Sequence, residues 1–140
     1  MLDRERVSQY LEGLDRLLRD WEELARESSR ARLESDRAFS QRVCYVLLAS
    51  IQTALDLANL AIAEKGLPRP NSYREAFEIL EREGLVRGGR TGQKLRELAG
   101  FRNRLVHHYV RLDWAKVQRN LRQGLEALLQ LRRAASRWAR

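Results

Sequence analysis

Apolar residues recur at spacings of three and four along almost the whole chain, and this periodicity limits the fold more than any other feature. Such spacing places the apolar side chains on one face of an α-helix. No window alternates between apolar and polar residues for long, as a half-buried β-strand would. Because the 140 residues include only two prolines and eight glycines, few positions interrupt a helix. The sequence therefore predicts an all-α fold, in one domain that covers residues 1–140.

Helix-capping residues divide this periodic sequence into five predicted helices. These helices cover about residues 2–28, 35–65, 73–84, 92–109 and 113 to the C-terminal region. The predicted N-caps of the last four are Ser35 or Asp36, Ser72, Thr91 and Asp113. The second helix is apolar over a wide arc, so we expect it to lie at the centre. The prediction is an up-and-down bundle of four long helices and one short one.

The chain carries a formal net charge of +8, which comes mainly from arginine. A positive surface attracts polyanions, and a guanidinium can bind a phosphate through two parallel hydrogen bonds. This charge balance makes nucleic acid a reasonable class of partner. A general preference for arginine on solvated surfaces would give the same composition without any such partner.

The numbers of cysteines and histidines and the lengths of the apolar runs indicate the compartment, metal content and membrane association to expect. The single cysteine, Cys44, excludes a disulfide within the chain and favours a reducing compartment. One cysteine and two histidines are too few for a four-ligand structural zinc site. The N-terminus is charged from its third residue, unlike a signal peptide, and the apolar run at 43–63 is too polar for a comfortable membrane span. We therefore expect a cytoplasmic protein with no membrane segment, no metal and no cofactor.

The stretch at 100–109 departs from a plain core pattern. On a helix with about 100° per residue, Arg102 falls within the apolar arc, between Leu98 and Val106. A guanidinium in such a place is costly unless a carboxylate, a phosphate or a water-filled cleft receives it. Asp56, a charge within another apolar run, is one candidate partner.

Four chemically capable side chains lie within about two turns of this predicted helix: Arg102, Asn103, His107 and Tyr109. An arginine can neutralise charge that builds on phosphorus oxygens, and a histidine can move protons near neutral pH. Because a ribose 2′-hydroxyl can itself be the nucleophile, such a set can cleave RNA without a metal ion. Arg102 and His107 are about 140° apart around the helix. A symmetric pair of chains would therefore direct both at one phosphate more easily than one chain would.

The same segment resembles the R-x4-H-x-Y motif of HepT-type toxins, which belong to the HEPN superfamily. Arg102, His107 and Tyr109 match its fixed positions, and Asn103 is the polar residue that often follows the arginine. Three flanking segments are also similar to the family, at 55–59, 72–84 and 113–117. The resemblance extends over roughly residues 5–132.

The resemblance implies a HEPN-type homodimer with a metal-independent endoribonuclease site, built where two copies of the motif helix face each other. Arg102 would stabilise the phosphate, His107 would transfer protons and Asn103 would orient or bind RNA. The resemblance further implies the toxin of a type VII toxin–antitoxin system, whose partner is a minimal nucleotidyltransferase antitoxin of the MntA type. That partner would transfer AMP to Tyr109 and block the site by bulk and negative charge. The motif assigns no role to His108.

Two other functions compete with a toxin ribonuclease. In one, the chain is a non-catalytic HEPN partner that docks a nucleotidyltransferase and accepts AMP on Tyr109. In the other, it is a structural helical bundle, and its arginine–tyrosine pair is a packing element. The combination of arginine, asparagine and histidine in the motif favours the ribonuclease.

Overall fold

The computed structural model describes residues 3–138, with Tyr109 described by its backbone alone. This part of the chain forms seven α-helices and one 3-10 helix and contains no strand, so the predicted all-α fold is confirmed. The α-helices are α1 (Arg4–Glu27), α2 (Arg30–Ser35), α3 (Arg37–Glu64), α4 (Tyr73–Arg82), α5 (Arg90–His107), α6 (Trp114–Gln123) and α7 (Leu125–Ala135). The 3-10 helix, Tyr109–Arg111, lies between α5 and α6.

Helix α3 forms the centre of the fold, as its wide apolar arc predicts. It packs against α1, α2, α4, α5 and α7, and side chains on most of its circumference are buried. Among the described residues it is the one helix long and apolar enough to cross a membrane, with a mean hydropathy of 1.6 over its most apolar window. Since 61% of that window is buried inside the fold, the apolar surface of α3 is accounted for by contacts with the other helices.

Side-chain caps begin three of the helices where the sequence predicts them. Asp36 accepts a hydrogen bond from the Phe39 amide at the start of α3. Ser72 caps α4 by accepting from the Glu75 amide, and Asp113 caps α6. Each cap satisfies backbone donors that the first helical turn leaves unpaired.

Three predicted boundaries are wrong. Residues 30–35, expected to connect two helices, form the short helix α2. Helix α5 begins at Arg90 rather than after a Thr91 cap; its N-cap position is Gly89, whose φ of 65° favours glycine. The same helix ends at His107 instead of Tyr109, because the chain tightens there into the 3-10 helix. No glycine or proline marks that end, so periodicity extends the predicted helix too far.

The predicted fifth helix is divided into α6 and α7 at Gly124 by a contact from across the bundle. The indole Nε1 of Trp21 on α1 donates a hydrogen bond to the carbonyl of Leu121, at 2.7 Å. Gly124 is buried beneath this contact, and a Cβ there would lie 2.8 Å from the Asn120 carbonyl and 3.1 Å from the Trp21 ring. The break therefore depends on a residue about one hundred positions away, which local sequence does not reveal.

We expect Trp21→Phe to lower the free energy of unfolding by about 1–3 kcal/mol, because it leaves the buried Leu121 carbonyl without a donor. Urea denaturation followed by circular dichroism measures the change. Trp114→Phe is the matched control, since that indole is only partly buried and donates no hydrogen bond within the described residues. Equal losses for the two variants would contradict a specific role for the Trp21 hydrogen bond.

Candidate active site

Arg102 is held by contacts from three helices. Helix α5 packs against both α3 and α4. The Arg102 Nε donates a hydrogen bond to Oε1 of Gln52 on α3, at 3.0 Å, and its Nη1 donates to Oδ1 of the neighbouring Asn103, at 3.3 Å. The guanidinium carbon lies 4.4 Å from the centre of the Tyr73 ring on α4, which is a cation–π distance. The half-buried guanidinium is thus received by two amides and an aromatic face.

Asp56 does not pair directly with Arg102, and that prediction is wrong. Among the described residues no ion pair joins the two side chains; instead Oδ1 of Asp56 accepts a hydrogen bond from Nε2 of Gln52, at 2.9 Å. Gln52 stands between them, with its amide nitrogen on Asp56 and its amide oxygen on Arg102. Because the amide carries no net charge, it orients the guanidinium and leaves the positive charge available to an anion.

His107 occupies the opposite end of the motif, as the last residue of α5. Its side chain is exposed, and no hydrogen bond or ion pair engages the imidazole within the described part of the chain. With His108, Val110 and Arg111 it lines a surface cavity of about 390 Å³. The imidazole is therefore open to a ligand that enters this cavity.

One copy of the chain does not bring Arg102 and His107 together through any hydrogen bond in the described structure. Arg102 is directed toward α3 and α4, whereas His107 opens onto the cavity beyond the end of α5. This divergence follows from the angle of about 140° that separates positions five apart on a helix. A single site that used both groups would need one of them from a second copy, so the composite site stays a prediction.

Tyr109 does not lie on the same helix as Arg102, as the predicted helix over about 92–109 would have it, because α5 ends two residues before Tyr109. The backbone of Tyr109 begins the 3-10 helix, and its side chain lies outside the described residues. The adjacent Val110 is 80% exposed, so this part of the chain runs along the surface. The role of Tyr109 as an AMP acceptor stays a prediction.

Most apolar residues of α5 are covered by the rest of the chain. Leu95, Leu98, Phe101 and Leu105 are all buried. Val106 on the same helix is only partly buried. Large hydrophobic side chains that are exposed elsewhere in the described structure are Tyr45 on α3 and Val110.

Other reactive side chains of the described residues include the thiol of Cys44. Burial raises the pKa of the Cys44 thiol to about 11, so this cysteine is protonated at neutral pH and is a poor nucleophile. The described residues contain no group of three or more histidine, cysteine or acidic side chains placed to hold a metal ion. A guanidinium, an amide and an open imidazole can bind a phosphate and move protons, with the nucleophile supplied by the substrate.

Sequence reasoning missed Gln52 and Tyr73, the two side chains that position Arg102. Tyr73 has the spacing of a core residue in a short helix, and its ring is in fact only partly buried. Gln52 and Asp56 are four apart in an otherwise apolar helix, so they share one face. That polar pair is the signal that could have identified the surface of α3 facing Arg102.

The amino-acid sequence is similar to those of known proteins. The family model described as ribonuclease HepT-like matches residues 14–135 of the chain. A putative RNase of Archaeoglobus fulgidus is 27% identical over 118 residues, which is 84% of this chain and 84% of that protein.

Solved structures share the fold over nearly the full length. The cytosolic protein YutE of Bacillus subtilis, of unknown function, superposes with a TM-score of 0.82 at 20% identity, covering 96% of this chain and 89% of that one. A tri-AMPylated HEPN toxin of Shewanella oneidensis, in complex with an MNT antitoxin, superposes with a TM-score of 0.81 at 21% identity. The match covers 93% of this chain and 96% of that one. At these identities the likeness establishes a common fold.

Proposed function

The chain belongs to the HepT-like ribonuclease family, and on that premise we propose that it is a metal-independent endoribonuclease and the toxin of a toxin–antitoxin pair. One observation carries the proposal. Arg102 is held in place by Gln52 and Tyr73, but no carboxylate pairs with it among the described residues. A positioned, unneutralised guanidinium beside an exposed amide, Asn103, suits a phosphate that gains charge during reaction.

The proposed reaction is an attack by a ribose 2′-oxygen on the adjacent phosphorus. The bond from the 2′-oxygen to phosphorus forms while the bond from phosphorus to the 5′-oxygen breaks, which leaves a 2′,3′-cyclic phosphate and a 5′-hydroxyl. The imidazole of His107 accepts the proton of the 2′-hydroxyl, and the leaving 5′-oxygen takes a proton from water. Arg102 stabilises the negative charge on the non-bridging oxygens in the transition state, and Asn103 orients the RNA.

A homodimer supplies this arrangement. A twofold axis beside α5 would place the Arg102 of one copy near the His107 of the other, and each copy would contribute equally. The divergence of these two side chains within one copy supports a site completed across the axis.

We further propose that a cognate nucleotidyltransferase antitoxin neutralises the enzyme by transferring AMP to Tyr109. The complex of a tri-AMPylated HEPN toxin with an MNT antitoxin supports this partner class through the shared fold. The exposure of the neighbouring Val110 supports access to this part of the chain. An added AMP brings bulk and negative charge to the site that RNA phosphates would occupy. The cytoplasm is the proposed location, where RNA, ATP and such a partner are available.

We expect purified protein to cleave RNA in the presence of a chelator and to lose that activity when either catalytic group is removed. His107→Ala should reduce the cleavage rate about 10²–10⁴-fold through loss of proton transfer. Arg102→Ala should reduce it about 10²–10³-fold through loss of charge stabilisation. Gel analysis of end-labelled RNA measures both, with circular dichroism as the test of folding.

Arg90→Ala is the matched control for the loss of an arginine, because Arg90 is exposed at the far end of α5. It should leave cleavage unchanged. If His107→Ala and Arg102→Ala cut RNA as fast as the parent chain, the assignment of these residues is wrong.

We expect multi-angle light scattering to give about twice the chain mass. Mixing Arg102→Ala protein with His107→Ala protein should restore part of the activity, because a mixed dimer contains one intact arginine–histidine pair. A clean monomer at micromolar concentration, or mixtures no more active than their parents, would contradict the composite site.

We expect co-expression with a cognate nucleotidyltransferase to raise the intact mass by one or more AMP groups and to abolish RNA cleavage. Tyr109→Phe should gain no AMP and should keep its RNA cleavage. Tyr45→Phe is the control and should be modified and inhibited like the parent, since Tyr45 is an exposed tyrosine on another helix. AMP transfer to Tyr109 without cleavage by any unmodified preparation would instead identify the non-catalytic partner of a nucleotidyltransferase.

A further inference from the structure

A continuous groove runs away from His107 between α5 and α6. It consists of three adjoining cavities of about 390, 220 and 260 Å³. The first contains His107 and shares His108 and Arg111 with the second. The second shares Arg104 and Lys116 with the third. His107, the proposed proton-transfer residue, therefore lies at one end of the groove.

The helical repeat explains why basic side chains line both walls. On α5, lining residues recur at spacings of three and four: Lys94, Glu97, Phe101 and Arg104. This spacing places them in one row along the helix. His108 follows at the C-cap of the helix. On α6, Lys116 and Arg119 are three apart and form a second row. The groove is the space between these two rows.

The groove has an excess of positive charge that the protein does not neutralise. Its described lining holds five arginine and lysine side chains against two carboxylates. Glu97 forms an ion pair with Lys94 at 2.8 Å, and its pKa is lowered mainly by that hydrogen bond and to a smaller extent by the charge of Arg119.

The second carboxylate, on Asp113, accepts hydrogen bonds from backbone amides of α6. Within the described residues no ion pair engages Arg104, Arg111, Lys116 or Arg119. Four like charges that line one groove favour an external anion.

We propose that this groove binds the sugar–phosphate backbone of single-stranded RNA on one side of the scissile phosphate. The inference rests on the proposed function, from which it takes His107 as the reacting end. The row on α5, from Lys94 to Arg104, extends over about 15 Å, from the 1.5 Å rise per residue, which is long enough for more than one phosphate. The groove thus assigns a phosphate-binding role to Arg104 and His108, which the motif leaves without one.

The composition of the groove favours RNA over a protein partner. Protein interfaces are centred on exposed aromatic and aliphatic anchors. Here Phe101 is 2% exposed and Val110 lies only at one end. Separate, unpaired cations along a channel are the usual means of following a nucleic-acid backbone.

The test removes two cations of the groove that do not line the cavity containing His107. Lys116→Gln/Arg119→Gln is compared with Arg82→Gln/Arg87→Gln, which removes the same charge from exposed positions outside the groove. The probe is a fluorescein-labelled, 2′-O-methylated single strand, which cannot cleave itself. Fluorescence anisotropy over a series of salt concentrations measures its affinity.

We expect the groove variant to bind this strand about tenfold more weakly at moderate salt. Each phosphate contact on a single strand contributes about 0.7 to the slope of log affinity against log salt concentration. Loss of two contacts should therefore make that slope shallower by about 1.4. The control variant should remain within about twofold of the parent, and both should keep the parent circular dichroism spectrum. For RNA that is cleaved, the groove variant should raise KM and keep kcat at saturation, because neither residue touches the reacting atoms.

An unchanged affinity and salt slope in the groove variant would overturn the proposal. Loss of nucleotidyltransferase binding with RNA binding intact would assign the groove to a protein and would also overturn it. If the parent binds the strand through the groove but cleaves no RNA, the groove proposal stands and the ribonuclease proposal fails.

Discussion

The packing of α5 against α3 and α4 is the constraint from which the site follows. Burial of Leu98, Phe101 and Leu105 fixes how α5 is rotated about its own axis. That rotation brings Arg102 against the Gln52 amide and the Tyr73 ring. A different rotation would either bury the guanidinium in the core, at a high desolvation cost, or release it into water without orientation. The core thus sets the position of the most important charge on the surface.

At the candidate site and along the groove, most of the positive charge is oriented without being neutralised. Gln52 separates Arg102 from Asp56, and the cations between α5 and α6 have few carboxylates among them. Both features prepare the surface for an anion. The proposed inhibition follows the same principle, because position 109 lies in sequence between two residues of the cavity, His108 and Val110. We expect an AMP phosphate attached there to compete with RNA phosphates for the same cations.

Local rules predict the parts of the fold that depend on local physics. Asp36, Ser72 and Asp113 cap helices because a short acceptor side chain can satisfy the first amides of a helix wherever it occurs. The break at Gly124 escapes such rules, since it depends on the indole of Trp21 from the opposite end of the chain. The end of α5 at His107 escapes them as well, because the helical pattern continues past it without a glycine or proline.

The sequence by itself determined the helical class, the central place of α3 and the presence of an arginine, an asparagine and a histidine at the spacing of a ribonuclease motif. These features follow from periodicity and spacing along one helix, which neighbouring residues define. Only the tertiary structure decided that Gln52 and Tyr73, not Asp56, hold Arg102, and that α5 and α6 enclose a basic groove. Such contacts join residues distant along the chain, and their geometry is set by how side chains of different helices pack together.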